Sequence, residues 1–177
     1  LVWKLPTLSP TNDLGHWPDL NSKKKLNERP GSLEGKLNGR PAKEPIRLYA
    51  GLQSGATTED RVALLLSELQ RTRAFQRKLL VVVPTTGTGW VDPIAARAVE
   101  SMYNGDTALV GMQYSYLPSW ISFLADRQKS VEAGRAMVDA IHRRWLQWPA
   151  GDRPRLALYG ESLGSMAGQG AFGYLPD

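Results

Sequence analysis

The chain has no cysteine among its 177 residues. That excludes a disulfide framework and a thiolate metal site, and it leaves the redox compartment open. Histidine is almost as scarce, with only His16 and His142. No apolar run approaches the roughly 18 residues needed to cross a bilayer as a helix. No secretory leader is visible, and the first residue is Leu1 rather than Met. The phosphate-cradling spelling G-x-x-x-x-G-K-[ST] is absent, and Gly87-x-Gly89 lacks the third glycine of a dinucleotide fingerprint.

The composition that remains is that of about one soluble-type domain. The net charge of +5 is unevenly spread, with much of it at Lys23-Lys24-Lys25 and the basic residues that follow. Residues 1–45 carry six prolines and hold neither a two-residue nor a 3.6-residue apolar period. They read as a linker or an extended arm. The lysine run could touch nucleic acid or anionic lipid, but three lysines fit a solvated linker better. No nucleic-acid partner is expected.

Regular patterning begins at Ile46. "IRLYAGL" alternates Ile46, Leu48 and Ala50 and reads as a strand. Thr57, with Asp60 three residues on, opens a helix whose apolar face is Val62, Leu65, Leu66 and Leu69. "KLLVVVP" (78–84) is β-branched without alternation, as a strand buried on both faces should be. Asp92-Pro93 is an N-cap followed by a first helical residue, and the helix it opens ends at Asn104-Gly105. A strand over 106–114 follows, then a long helix over 126–148 and a strand over 155–159. Strands alternating with helices predict a parallel α/β sheet.

The last strand runs into Gly160-Glu161-Ser162-Leu163-Gly164, the G-x-S-x-G of a nucleophile elbow. Strand before and helix after is the context that motif requires. The serine occupies a strained turn that lifts its Oγ above the sheet, and small residues flank it because strand and helix approach closely. The rival is a plain strand-to-helix turn with a serine cap. An elbow also needs an oxyanion hole. One donor is the backbone N–H of Leu163. The other should come from the loop after the strand 78–83, with Thr86 or Gly87 as the candidate.

Other residues read more plainly. His142 lies mid-helix beside Val138, Trp145 and Leu146 and is expected to be half-buried on a helix face. His16 belongs to the arm, and Asp92 is a helix cap. Glu161 is too close to the nucleophile along the chain to stand behind a histidine. Tyr114, Tyr116 and Trp120 follow the strand 106–114 and should emerge at the same sheet edge as Ser162. They are either the wall of an apolar acyl pocket or ordinary core aromatics.

"IRLYAGLQSG", "PTTGTGWVDP", "GMQYSYLPSWISF" and "RPRLALYGESLGS" together resemble a bacterial α/β-hydrolase family. Its members carry this domain after a multi-spanning N-terminal membrane region. The resemblance covers about 46–177 and corresponds to the family's N-terminal half. It implies an α/β-hydrolase-like fold, a mostly parallel sheet with flanking helices, truncated after the elbow. It implies Ser162 as nucleophile, a triad acid and histidine further downstream, and membrane association of a parent protein through a region not present here. It does not supply a substrate.

The expectation is therefore a serine hydrolase acting on an ester or thioester with an acyl or lipid-like body, through an acyl-enzyme on Ser162. No metal or cofactor is implied. Acyl transfer with the same nucleophile and a non-catalytic hydrolase-like scaffold are the alternatives. If the chain is a fragment, it should be inactive alone. The strand 155–159 should then lie at a sheet edge, leaving Leu156, Leu158 and the apolar side of 163–175 partly exposed.

Overall fold

A computed structural model describes residues 42–85, 89–115 and 127–172. The expected arm over 1–45 lies outside them except for its last four residues. Four strands form one sheet: β1 (Ile46–Ala50), β2 (Leu79–Pro84), β3 (Thr107–Met112) and β4 (Arg155–Leu158). Four helices connect or follow them: α1 (Thr58–Arg71), α2 (Pro93–Met102), α3 (Arg127–Leu146) and α4 (Leu163–Phe172). The sheet order is β1-β3-β2-β4 and every pairing is parallel.

Local chemistry accounts for the helix starts. The Thr57 hydroxyl accepts the Asp60 N–H at 3.1 Å, and the Asp60 carboxylate accepts the Thr57 N–H at 3.0 Å. This reciprocal cap satisfies two donors that a helix leaves open, and a cap of this kind contributes about 1 kcal/mol. The Asp92 carboxylate accepts the Ile94 N–H at 2.6 Å, with Pro93 as the first helical residue. Both helices begin where the sequence places them.

The sheet has two covered faces. Leu48, Leu80, Val82 and Val110 pack with Leu65 and Leu69 of α1 and Met137 and Ile141 of α3. On the opposite face Tyr49, Leu79, Val81, Val83 and Leu109 pack with Val91 and Ala96 at α2. The alternation read in β1 suggests one buried face, yet all five of its residues are buried. Arg47 explains the difference. It is 7 % exposed because its guanidinium donates to both carboxylate oxygens of Glu100 on α2, at 2.5 Å each. The pair satisfies both charges inside the fold, and removing either partner alone costs about 3–5 kcal/mol.

Among the described residues β4 pairs with β2 alone and is the second edge of the sheet; Leu156, Ala157 and Leu158 are half-buried, as the sequence leads one to expect of Leu156 and Leu158. The expectation for α4 needs correction. Much of its apolar side is covered, because Leu163, Ala167 and Ala171 are at most 1 % accessible, while Met166 is half-buried and 173–175 lie outside the described residues. The cover is α3. A Cβ on Gly134 would lie 2.6 Å from the Ala167 side chain, and one on Gly170 would lie 2.5 Å from Val131. Small residues on each helix let the two backbones approach closely. Among the described residues no helix is long and apolar enough to cross a membrane.

Candidate active site

The strand order creates a crevice before any side chain is considered. From β2 the chain crosses through α2 to β3 on one side of β2. From β3 it returns through α3 to β4 on the other side. The crossovers leave on opposite sheet faces, α2 on one and α3 on the other. Such a reversal opens a crevice at the carboxyl ends of the two strands that flank it, and ligands of open α/β sheets bind there. Here those ends are Pro84-Thr85 and Leu158-Tyr159.

Ser162 stands at this point. The Tyr159 N–H donates to the Val82 carbonyl at 3.0 Å, so the ladder to β2 holds until just before the turn. The chain then turns sharply. Gly164 N–H donates to Glu161 O at 2.8 Å and Ser165 N–H to Ser162 O at 3.0 Å, which starts α4 at once. Ser162 has φ +50°, a left-handed backbone. For a residue with a Cβ that conformation costs about 1–2 kcal/mol. Its side chain is exposed while Leu163 beside it is 1 % exposed.

The two glycines of the motif have distinct contacts. A Cβ on Gly160 would lie 2.5 Å from the backbone of Gly164. A Cβ on Gly164 would lie 2.1 Å from the carbonyl oxygen of Pro84. Gly160 thus allows the strand end to touch the helix start, and Gly164 allows the helix start to rest on the end of β2. The turn is pinned against the strand whose loop is expected to supply the second oxyanion donor. The Leu163 N–H is the first of α4, where a helix leaves its N–H groups without internal acceptors and concentrates positive potential.

Neighbouring contacts hold the crevice in shape. The Thr85 hydroxyl, buried, donates to Met112 O at 2.8 Å and ties the end of β2 to that of β3. The Tyr49 hydroxyl donates to Gly89 O at 3.0 Å, fixing the returning side of the loop. The Ser130 hydroxyl donates to Leu163 O at 3.4 Å, anchoring the start of α4 to α3. Thr86 and Gly87 lie outside the described residues, as do Tyr116 and Trp120. Tyr114 is described, half-buried and packed on the α1–α3 side of the core.

One feature of the turn escapes sequence reading. The Tyr159 hydroxyl donates to the Glu161 carboxylate across the strand end. Burial raises the Tyr159 pKa to about 12, helped by that hydrogen bond and by the negative charges of Glu161 and Asp92. The phenol therefore stays neutral and keeps Glu161 turned toward the α2 side of the elbow. The only signal for the pair is the two-residue spacing around Gly160. Ser130 and Thr85 had no signal, since their partners lie 33 and 27 residues away.

His142 is a half-buried residue of α3 whose ring stacks on Trp145 at 5.7 Å. Ser130, on the same helix, touches the start of α4, and twelve residues of helix separate it from His142, about 18 Å of rise. His142 is therefore at the far end of α3 from the elbow. Asp92 is engaged as the cap of α2. No group of three or more His, Asp or Glu among the described residues is placed to hold a metal.

A model of an alpha/beta-hydrolase family matches residues 46–177. The chain belongs to that family. No curated protein and no solved structure matches it. The α/β-hydrolase match begins at the first residue of β1 and includes the whole sheet, the elbow and α4.

Proposed function

We propose that this is the nucleophile-bearing part of a serine hydrolase in which Ser162 attacks an ester or thioester carbonyl. The observation that carries this assignment is the left-handed Ser162, exposed at the switch point between Gly160 and Gly164. A surface serine gains nothing from such a backbone unless its hydroxyl must stand clear of the sheet. Attack would form a tetrahedral intermediate whose oxygen accepts from the Leu163 N–H and from an amide at Thr86. Its collapse expels the alcohol or thiol and leaves an acyl-enzyme, which water then hydrolyses.

A serine hydroxyl is a weak nucleophile at its own pKa, so a base must take its proton. His142 is too far along α3 to do so. The assignment takes the base and its orienting acid from sequence that follows these residues in a longer, membrane-associated parent. Glu161 and Asp92 add negative charge beside the elbow, which favours a substrate that is neutral near the scissile bond. An acyl or lipid-like ester fits. Acyl transfer to an alcohol would use the same nucleophile and differs only in the acceptor.

The test is hydrolysis of p-nitrophenyl acyl esters by a protein extended through the downstream reading frame. Turnover there, abolished in Ser162→Ala and absent from the 177-residue chain, is the expected result. Turnover by the short chain that survives Ser162→Ala, or none in the extended protein, would refute it and favour the scaffold alternative.

A further inference from the structure

The edge of the sheet opposite Ser162 carries a separate feature. Arg73, Lys78, Arg143, Arg144, Arg153 and Arg155 gather where β2 and β4 begin and α1 and α3 end. Lys78 and Arg155 are adjacent, since the Arg155 N–H donates to Lys78 O at 2.9 Å. Arg153 donates to the carbonyls of Leu146 and Trp148, at 2.7 and 2.6 Å, which places it on the end of α3. Arg144 donates to Gln70 at 2.7 Å and to Gln147 at 2.5 Å, joining the end of α3 to that of α1. Arg73 and Arg144 line one open cavity of about 470 Å³ with Phe75 and Trp148, whose rings stack at 5.9 Å.

Among the described residues none of these six cations is in an ion pair. Other cations do find carboxylates: Lys43 and Arg77 meet Asp106, Arg71 meets Glu68, and Arg47 meets Glu100. Asp139, one turn before Arg143 on α3, pairs with Arg135, and Asp152 lies in the turn after α3. Helix carboxyl ends favour one or two cations each, but Lys78 stands just before β2 and Arg155 opens β4, and that reason does not reach them. In the middle of the group Leu146 is 47 % exposed, and Pro149 is exposed at the tip of the turn.

We propose that this basic edge docks the domain on an anionic lipid surface. Juxtaposed Lys and Arg are attracted to acidic headgroups. Arg73 and Arg144 can share a headgroup phosphate at the cavity, because guanidinium presents paired donors to phosphate oxygens. Leu146 and Pro149 give the tip apolar surface to bury at the acyl boundary. A nucleic acid would use the charge but leave the exposed leucine without a purpose. Docking by this edge holds Ser162 away from the surface, across strands about 17 Å long. The inference does not depend on the hydrolase assignment.

The test is co-sedimentation of the 177-residue chain with phosphatidylcholine vesicles containing or lacking about 30 % phosphatidylglycerol. Lys78, Arg143 and Arg155 are exposed, so Lys78→Gln/Arg143→Gln/Arg155→Gln should fold, which a thermal melt verifies. Partition onto the anionic vesicles alone is expected, weakened on the order of a hundredfold in that triple variant. Leu146→Gln should weaken what remains at high salt. A control carries Gln at Lys23, Lys24 and Lys25. No partition, binding lost only in that control, or tighter binding to duplex DNA than to the vesicles would overturn the proposal.

Discussion

The two edges of the sheet are built in different ways. At the carboxyl edge, backbone meets backbone: Gly160 on Gly164, Gly164 on Pro84, and a left-handed serine between them. Few side chains hold that geometry, and almost any added atom collides with main chain. At the amino edge, long cationic side chains reach into solvent or bond neutral partners, and the fold beneath is completed by Trp145 and Trp148. A fold gains tolerance where side chains make its surface. It loses tolerance where the backbone itself forms the site.

Adding one methyl at the carboxyl edge is the strongest way to break this contrast. Gly164→Ala must displace Pro84 or the start of α4, and a loss of about 3 kcal/mol or more in denaturant unfolding is expected. A loss below about 0.5 kcal/mol would show that the helix start moves freely. Ser162→Gly should act in the opposite sense. It relieves the left-handed strain and should raise stability by about 0.5–1 kcal/mol while removing the nucleophile. Ser162→Ala keeps the Cβ and should leave stability nearly unchanged, so the two variants separate strain from chemistry.

The amino edge has its own acid response. The Arg71 guanidinium bonds both oxygens of Glu68, at 2.8 and 2.6 Å. That hydrogen bond, opposed by partial burial, lowers the Glu68 pKa from 4.5 to about 2. A folded-state pKa below the unfolded one stabilises above pH 4.5 and loses that contribution as pH falls toward 2. Because the Arg71 side chain is 56 % exposed, solvent screening holds the contribution to about 1 kcal/mol or less. Glu68→Gln should flatten the stability profile over that window, and an unchanged acid limb would contradict it. Smallest of all, Lys78→Gln/Arg143→Gln/Arg155→Gln should shift unfolding by no more than about 0.5 kcal/mol per site.

Sequence patterns reveal the parts of this fold that depend on near neighbours. The β-branched run of β2, the Thr57–Asp60 and Asp92-Pro93 helix starts, and the strand-elbow-helix order are all readable along the chain. What the sequence hides is long-range pairing. Nothing near Arg47 announces Glu100, 53 residues away, so β1 looks half-exposed when it is buried. The burial of α4 depends on Gly134 and Val131 of another helix, and no period within 163–172 reports it. Tyr159 and Glu161 are close in sequence, but their bond requires the turn at Gly160, whose shape local periodicity does not specify.

Ser162 can be examined directly by peptide mass mapping of the frame-extended protein after treatment with a fluorophosphonate. Ser165 is an internal control, being exposed three residues away with its hydroxyl donated to Ser162 O at 2.6 Å. The account predicts one phosphonyl adduct, on Ser162 and not Ser165, absent after Ser162→Ala and blocked by prior acylation. An adduct on Ser165, equal labelling of both serines, or an unmodified Ser162 would contradict it.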